Sequence, residues 1–163
     1  MNLPLPFRIF NGIAVLLFAA FAFFQYNDID PTVYQRASSL DAALWLGFYA
    51  LIAILFALSL FQKAAPRWLL LTGGLACLVE MGRTGWGLWI NIFGTEEFTM
   101  MQVSMSAEDP RVELSREFFG ALLALAAVML LWWERRKFTA DLPSPAGKSS
   151  SSPPGIREES DES

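Results

Sequence analysis

A chain of 163 residues that is 54% hydrophobic and only 17% charged is too apolar for an ordinary soluble domain, so a membrane protein is the first class to test. The formal net charge is −4, without the basic patch or aromatic–basic interleaving that nucleic acid requires, so nucleic acid is excluded as a partner. Histidine is absent and Cys77 is the only cysteine, which excludes an intrachain disulfide, histidine-ligated haem or zinc, and Ser-His or Cys-His nucleophiles.

The first apolar run covers residues 7–26, about 30 Å of helix and enough to cross a hydrocarbon core. Pro6 suits its first turn, where the missing N–H costs nothing. Arg8 and Ala20-Phe21-Ala22 also fit a cleaved signal peptide, but the run stays Phe-rich past that site, which favours a retained span. Asp30-Pro31 reads as an N-cap followed by proline at a first helical position, with residues 32–38 forming a turn or two on the membrane surface. Ser38-Ser39-Leu40-Asp41 reads as a capping box opening the second span, residues 42–61. Residues 62–67 form a tight basic turn containing Pro66.

The third span, residues 68–93, carries five glycines with Glu80 and Arg83 inside the apolar stretch. A charge at the centre of a membrane helix costs about 2.5–3.5 kcal/mol on insertion scales, so such residues face the protein interior and pair. Glu80 and Arg83 are three apart, neighbours on one face, and are expected to pair with each other. Gly73, Cys77, Glu80, Thr84 and Gly87 recur at three- and four-residue steps as a close-packing face. Residues 94–116 read as a polar loop. The fourth span, residues 117–133, is short, which draws Arg116 and Glu117 into the bilayer boundary. Gly120, Ala124 and Ala127 supply its packing face, and Glu134-Arg135-Arg136-Lys137 stops it.

The expected fold is therefore an all-α membrane protein: a four-helix transmembrane bundle over residues 1–137, followed by a disordered, acidic Ser/Pro-rich tail over 138–163. Arg8, Lys63, Arg67, Arg135, Arg136 and Lys137 fall on one side, against Arg36, Arg111 and Arg116 on the other, so the positive-inside rule places both termini in the cytoplasm. Trp86, Trp89, Trp132 and Trp133 read as interfacial anchors.

This topology brings Gln25, Asn27, Asp28 and Asp30 from the first span, Arg83 from the third, and Glu113, Arg116 and Glu117 from the fourth to one membrane level. Asp28, Arg116 and Glu117 are the expected core of a charged network, with hydrogen bonds from Gln25 and Asn27. The pattern Asn11-Gly12, Gln25-x-Asn27-Asp28-x-Asp30 and Glu113-x-x-Arg116-Glu117-x-x-Gly120 resembles the transmembrane protein 220 family of small multi-pass membrane proteins. Ile29 stands between the two aspartates where the family has proline, and residues 32–40 are an insertion before the second span. The resemblance implies the membrane fold and the polar cluster, and supplies no reaction.

Three function classes follow. The first is a small structural or accessory protein of the plasma or inner membrane, in contact with the lipid bilayer and with a membrane-protein partner or a second copy of itself. The second is a binder or carrier of a cation or small polar solute through the outer carboxylates, whose hard oxygens suit Ca²⁺ or Mg²⁺. An intramembrane enzyme is the least supported, since no metal motif or phosphate loop is present; no catalytic residue and no cofactor is assigned, and a metal is left undetermined.

Overall fold

The structure, a computed structural model, describes residues 3–27, 30, 32–35 and 38–139. Asp28 of the expected cluster and all but the first residues of the expected disordered tail lie outside these. Among the described residues all regular structure is helical: α1 (Leu5–Phe24), α2 (Ser39–Leu60), α3 (Arg67–Phe93) and α4 (Arg111–Thr139), with 3₁₀ turns at Gln25–Asn27 and Gln102–Ser104.

The helix ends follow local chemistry. Pro6 sits in the first turn of α1. The Ser38 hydroxyl caps α2 by accepting from the Asp41 N–H at 3.0 Å. At the other end of α2 the Gln62 N–H donates to the Ser59 carbonyl and the Lys63 N–H to the Leu58 carbonyl, both at 2.8 Å. That is a Schellman closure, and Gln62 takes the left-handed position with φ 60° that glycine usually fills. Among the described residues Asp30 opens a turn: its carboxylate accepts from the Thr32 N–H and hydroxyl, and its carbonyl accepts from Val33 and Tyr34. α4 begins at Arg111, inside the stretch read from sequence as loop, behind Pro110 and with Glu113 in its first turn. The helix therefore runs past the apolar segment at both ends.

Two antiparallel hairpins make the bundle. In α1–α2, Phe18 stacks on Phe56 with ring centres 5.9 Å apart and meets Tyr49 at 6.2 Å, and Trp45 stacks on Tyr49 at 5.5 Å. In α3–α4, packing is by small residues: Gly73, Cys77, Thr84 and Gly87 are buried on α3, with Ala121, Ala124, Ala127 and Val128 facing inward on α4. A Cβ placed on Gly87 would lie 2.3 Å from the Leu114 Cβ, so only glycine permits this approach. Van der Waals fit, not the hydrophobic effect, holds helices together in lipid, and a small-residue seam supplies that fit.

The hairpins join along α2 and α4. Midway, the Tyr49 hydroxyl comes so close to Gly120 that a Cβ there would overlap it. Ile9, Ile13 and Leu16 on α1 and Leu71, Leu75, Leu78 and Val79 on α3 remain exposed, as a lipid-facing surface requires. By length and composition α1, α2 and α4 are apolar enough to cross a membrane. α3 is as long, but Arg67, Glu80 and Arg83 break up its apolar character.

Candidate functional site

Polar side chains inside this bundle gather at its two ends. At the end where α1 finishes and α2 begins, Arg83 is the centre. Its Nε donates to Glu80 Oε2 at 2.7 Å and its Nη2 to Glu117 Oε2 at 2.9 Å. The first contact joins neighbours one turn apart on α3; the second ties α3 to α4. The side chains are 27%, 32% and 16% exposed for Arg83, Glu80 and Glu117. Exposed pairs contribute about 0–1 kcal/mol, whereas removing one partner of a buried pair costs about 3–5 kcal/mol. This trio lies between, so losing Arg83 should cost about 1–3 kcal/mol. Asp41 and Glu113 add negative charge to the field around it.

Glu113, on the first turn of α4, is buried and accepts from the Gln35 N–H at 2.8 Å, which fastens the inserted segment to the second hairpin. Among the described residues the cation that meets Glu117 is Arg83. Arg116 is exposed and directs Nη1 to the Met105 sulfur at 3.5 Å. Gln25 and Asn27 form the 3₁₀ turn that closes α1. Asp30 is exposed, and the bonds from the Thr32 N–H and then its hydroxyl hold its carboxyl below the usual range.

Behind the charged trio lies a clasp absent from the sequence reading. Asn91, fully buried near the end of α3, donates to the Thr99 carbonyl at 2.8 Å and to the Ser115 hydroxyl at 3.0 Å. Its carbonyl oxygen accepts from Arg111 Nη1 at 3.0 Å and from the Thr99 N–H at 3.3 Å. Arg111 also donates to the Glu97 carbonyl and pairs with Asp109 at 2.7 Å. One amide with every hydrogen-bonding position used thus shapes the connection between α3 and α4.

At the opposite end a second cluster joins three helices. Asn11 of α1 donates from Nδ2 to the Ser59 hydroxyl of α2 and to Glu134 Oε2 of α4, both at 3.1 Å. Ser59 donates to the same Glu134 oxygen at 2.7 Å. Asn11 and Glu134 are 0% exposed and Ser59 2%. Asn11 Oδ1 and Glu134 Oε1 are buried with no hydrogen-bond partner among the described residues. A buried polar atom left unpaired costs about 1–3 kcal/mol, and more when it carries charge. Sequence reasoning had assigned Glu134 to the helix-stopping charge run and passed over Ser59. The available signal was an isolated polar residue within two apolar runs, Asn11 and Ser59; Glu134, the first of a run of four charged residues, gave none.

Among the described residues no group of three or more histidine, cysteine or carboxylate side chains is placed to hold a metal ion. The family described as "Transmembrane family 220, helix" matches residues 17–133, more than half of the chain. No curated protein and no solved structure matches it.

Proposed function

The chain belongs to transmembrane family 220, and from that premise we propose that it is a small structural or accessory protein whose polar side chains lock two helical hairpins together within the membrane. In this reading α3 crosses the bilayer as the fourth span beside α4, both termini are cytoplasmic, and the protein resides in the plasma or inner membrane. It meets a membrane-protein partner or a second copy through its loops. The observation that carries the reading is the use of Arg83: its guanidinium is taken up by Glu80 within α3 and Glu117 across to α4. Charge spent on internal pairing serves the fold, because a desolvated ion is tolerable only when matched. The basic residues at the Lys63–Arg67 turn and at Arg135–Lys137 support the orientation.

One observation favours the second class, a binder of a cation or small polar solute. Glu80, Glu117 and Asp41 act on Arg83, and Glu113 adds its charge to that of Glu117, so among these described residues the carboxylates outnumber the cation. The two readings separate on purified protein. In the structural reading, thermal stability is indifferent to Ca²⁺ and Mg²⁺ at constant ionic strength, and gentle detergent extraction retains a stoichiometric second subunit. A saturable divalent-cation stabilisation that is lost in Glu117→Gln would replace it with the binding reading.

A further inference from the structure

The geometry points to a binding site for one small monovalent cation, of the Na⁺ class, where Asn11, Ser59 and Glu134 bring oxygen atoms from α1, α2 and α4 to one buried junction. Glu134 Oε1 and Asn11 Oδ1 are the two buried acceptors without a partner among the described residues. They belong to head groups already joined by the 3.1 Å bond from Asn11 Nδ2 to Glu134 Oε2. Each free oxygen shares its head-group carbon with an atom of that bond, and both require a positive or hydrogen-bearing neighbour. The Ser59 hydroxyl, 2.7 Å from Glu134 Oε2, is a third oxygen at the same place.

The charge balance selects the ion. Among the described residues Glu134 is the carboxylate of this hydrogen-bonded junction; Asn11 and Ser59 are neutral, so one positive charge neutralises it and two would overshoot. The nearby basic side chains are directed elsewhere. Arg135 donates to the Ala65 carbonyl, Arg136 lies 5.3 Å above the Trp132 ring, and Lys137 lies 4.8 Å from Trp133 and 5.6 Å from Phe138. Arg8 is exposed on α1. Hard oxygens and one unit of negative charge suit an alkali cation rather than a soft metal. The junction is also covered toward the chain termini. Phe7 is one turn before Asn11 and Phe138 one turn after Glu134; their rings lie 5.5 Å apart, and Trp133 closes on Phe7 at 5.6 Å. An ion held here bridges both hairpins, independently of the charged trio at the far end.

The test uses the full chain purified in detergent, with unfolding temperature measured in NaCl, KCl and choline chloride at equal ionic strength. Na⁺ should raise Tm saturably over choline, by about 5–10 °C at about 100 times the half-saturating concentration. Glu134→Gln, which keeps the side-chain shape without the charge, should abolish the Na⁺ effect, and Ser59→Ala should raise the half-saturating concentration about tenfold. Equal Tm in Na⁺ and choline, or a Na⁺ effect that survives Glu134→Gln, overturns the proposal. Should Glu134→Gln fail to fold, equilibrium binding of radioactive ²²Na⁺ to the native chain decides. One competable ion per chain supports the site, and none overturns it.

Discussion

Gly87→Ala tests the closest approach in the bundle. The added Cβ would stand 2.3 Å from Leu114 Cβ, 2.8 Å from its Cδ1 and 3.1 Å from its Cγ. Carbon atoms rest at about 3.5–4.0 Å, so more than 1 Å must be recovered at this crossing. Neither Cβ has a torsion that turns it away, so the helices themselves must separate. Overpacking of this kind costs about 1–3 kcal/mol, while exchanging glycine for alanine in a helix returns up to about 1 kcal/mol. Gly82→Ala measures that second effect alone, because nothing lies within 4 Å of a Cβ there. The difference between the two variants should be about 1–3 kcal/mol, or about 2–12 °C in Tm for a chain of this length. Tryptophan fluorescence during heating in detergent reads it directly. Leu114→Ala retains the offending Cβ and should not rescue Gly87→Ala. Equal Tm for Gly87→Ala and Gly82→Ala would refute the close α3–α4 seam.

Three further outcomes are expected. Gln62→Gly removes the cost of a left-handed side-chain-bearing residue at the end of α2 and should raise stability by about 1 kcal/mol, or about 2–4 °C in Tm. Gly120→Ala drives a methyl group into the Tyr49 hydroxyl and should lower Tm. Tyr49→Phe should rescue it, because the next atom, Cζ, is 3.5 Å away. In a Cys77→Ser background, an impermeant thiol reagent on intact cells should label Ser39→Cys and Ser106→Cys but not Ser150→Cys; labelling of the last would reverse the proposed orientation.

Much of the fold was legible because apolar run length and glycine spacing are properties of one helix at a time. The long apolar runs and the Gly73–Cys77–Thr84–Gly87 face required no knowledge of a partner. The i, i+3 spacing of Glu80 and Arg83 likewise sets them on one face before any packing is known. Contacts between helices were not legible in this way, since they depend on how each helix is rotated. α4 starts at Arg111 rather than after Arg116, and in that setting Glu117 meets Arg83 while Arg116 faces Met105. The residues around Asn91 come together only once the loop folds back, and Asn11 and Glu134 are 123 positions apart. Hydropathy also misread the first turns of α4. Polar residues looked like loop, whereas their side chains are satisfied by Gln35, Asn91 and Asp109 and the backbone stays helical.

The claim that internal charge locks the hairpins is tested most directly by a double-mutant cycle on Arg83→Gln and Glu117→Gln, read as thermal stability in detergent. Arg83→Gln leaves Glu80 and Glu117 without their cation, and Glu117→Gln leaves Arg83 with Glu80 alone, so each should lose about 1–3 kcal/mol, and the double variant should lose clearly less than their sum. Losses that simply add would mean that the 2.9 Å contact between α3 and α4 carries no coupling, and the structural reading would fail.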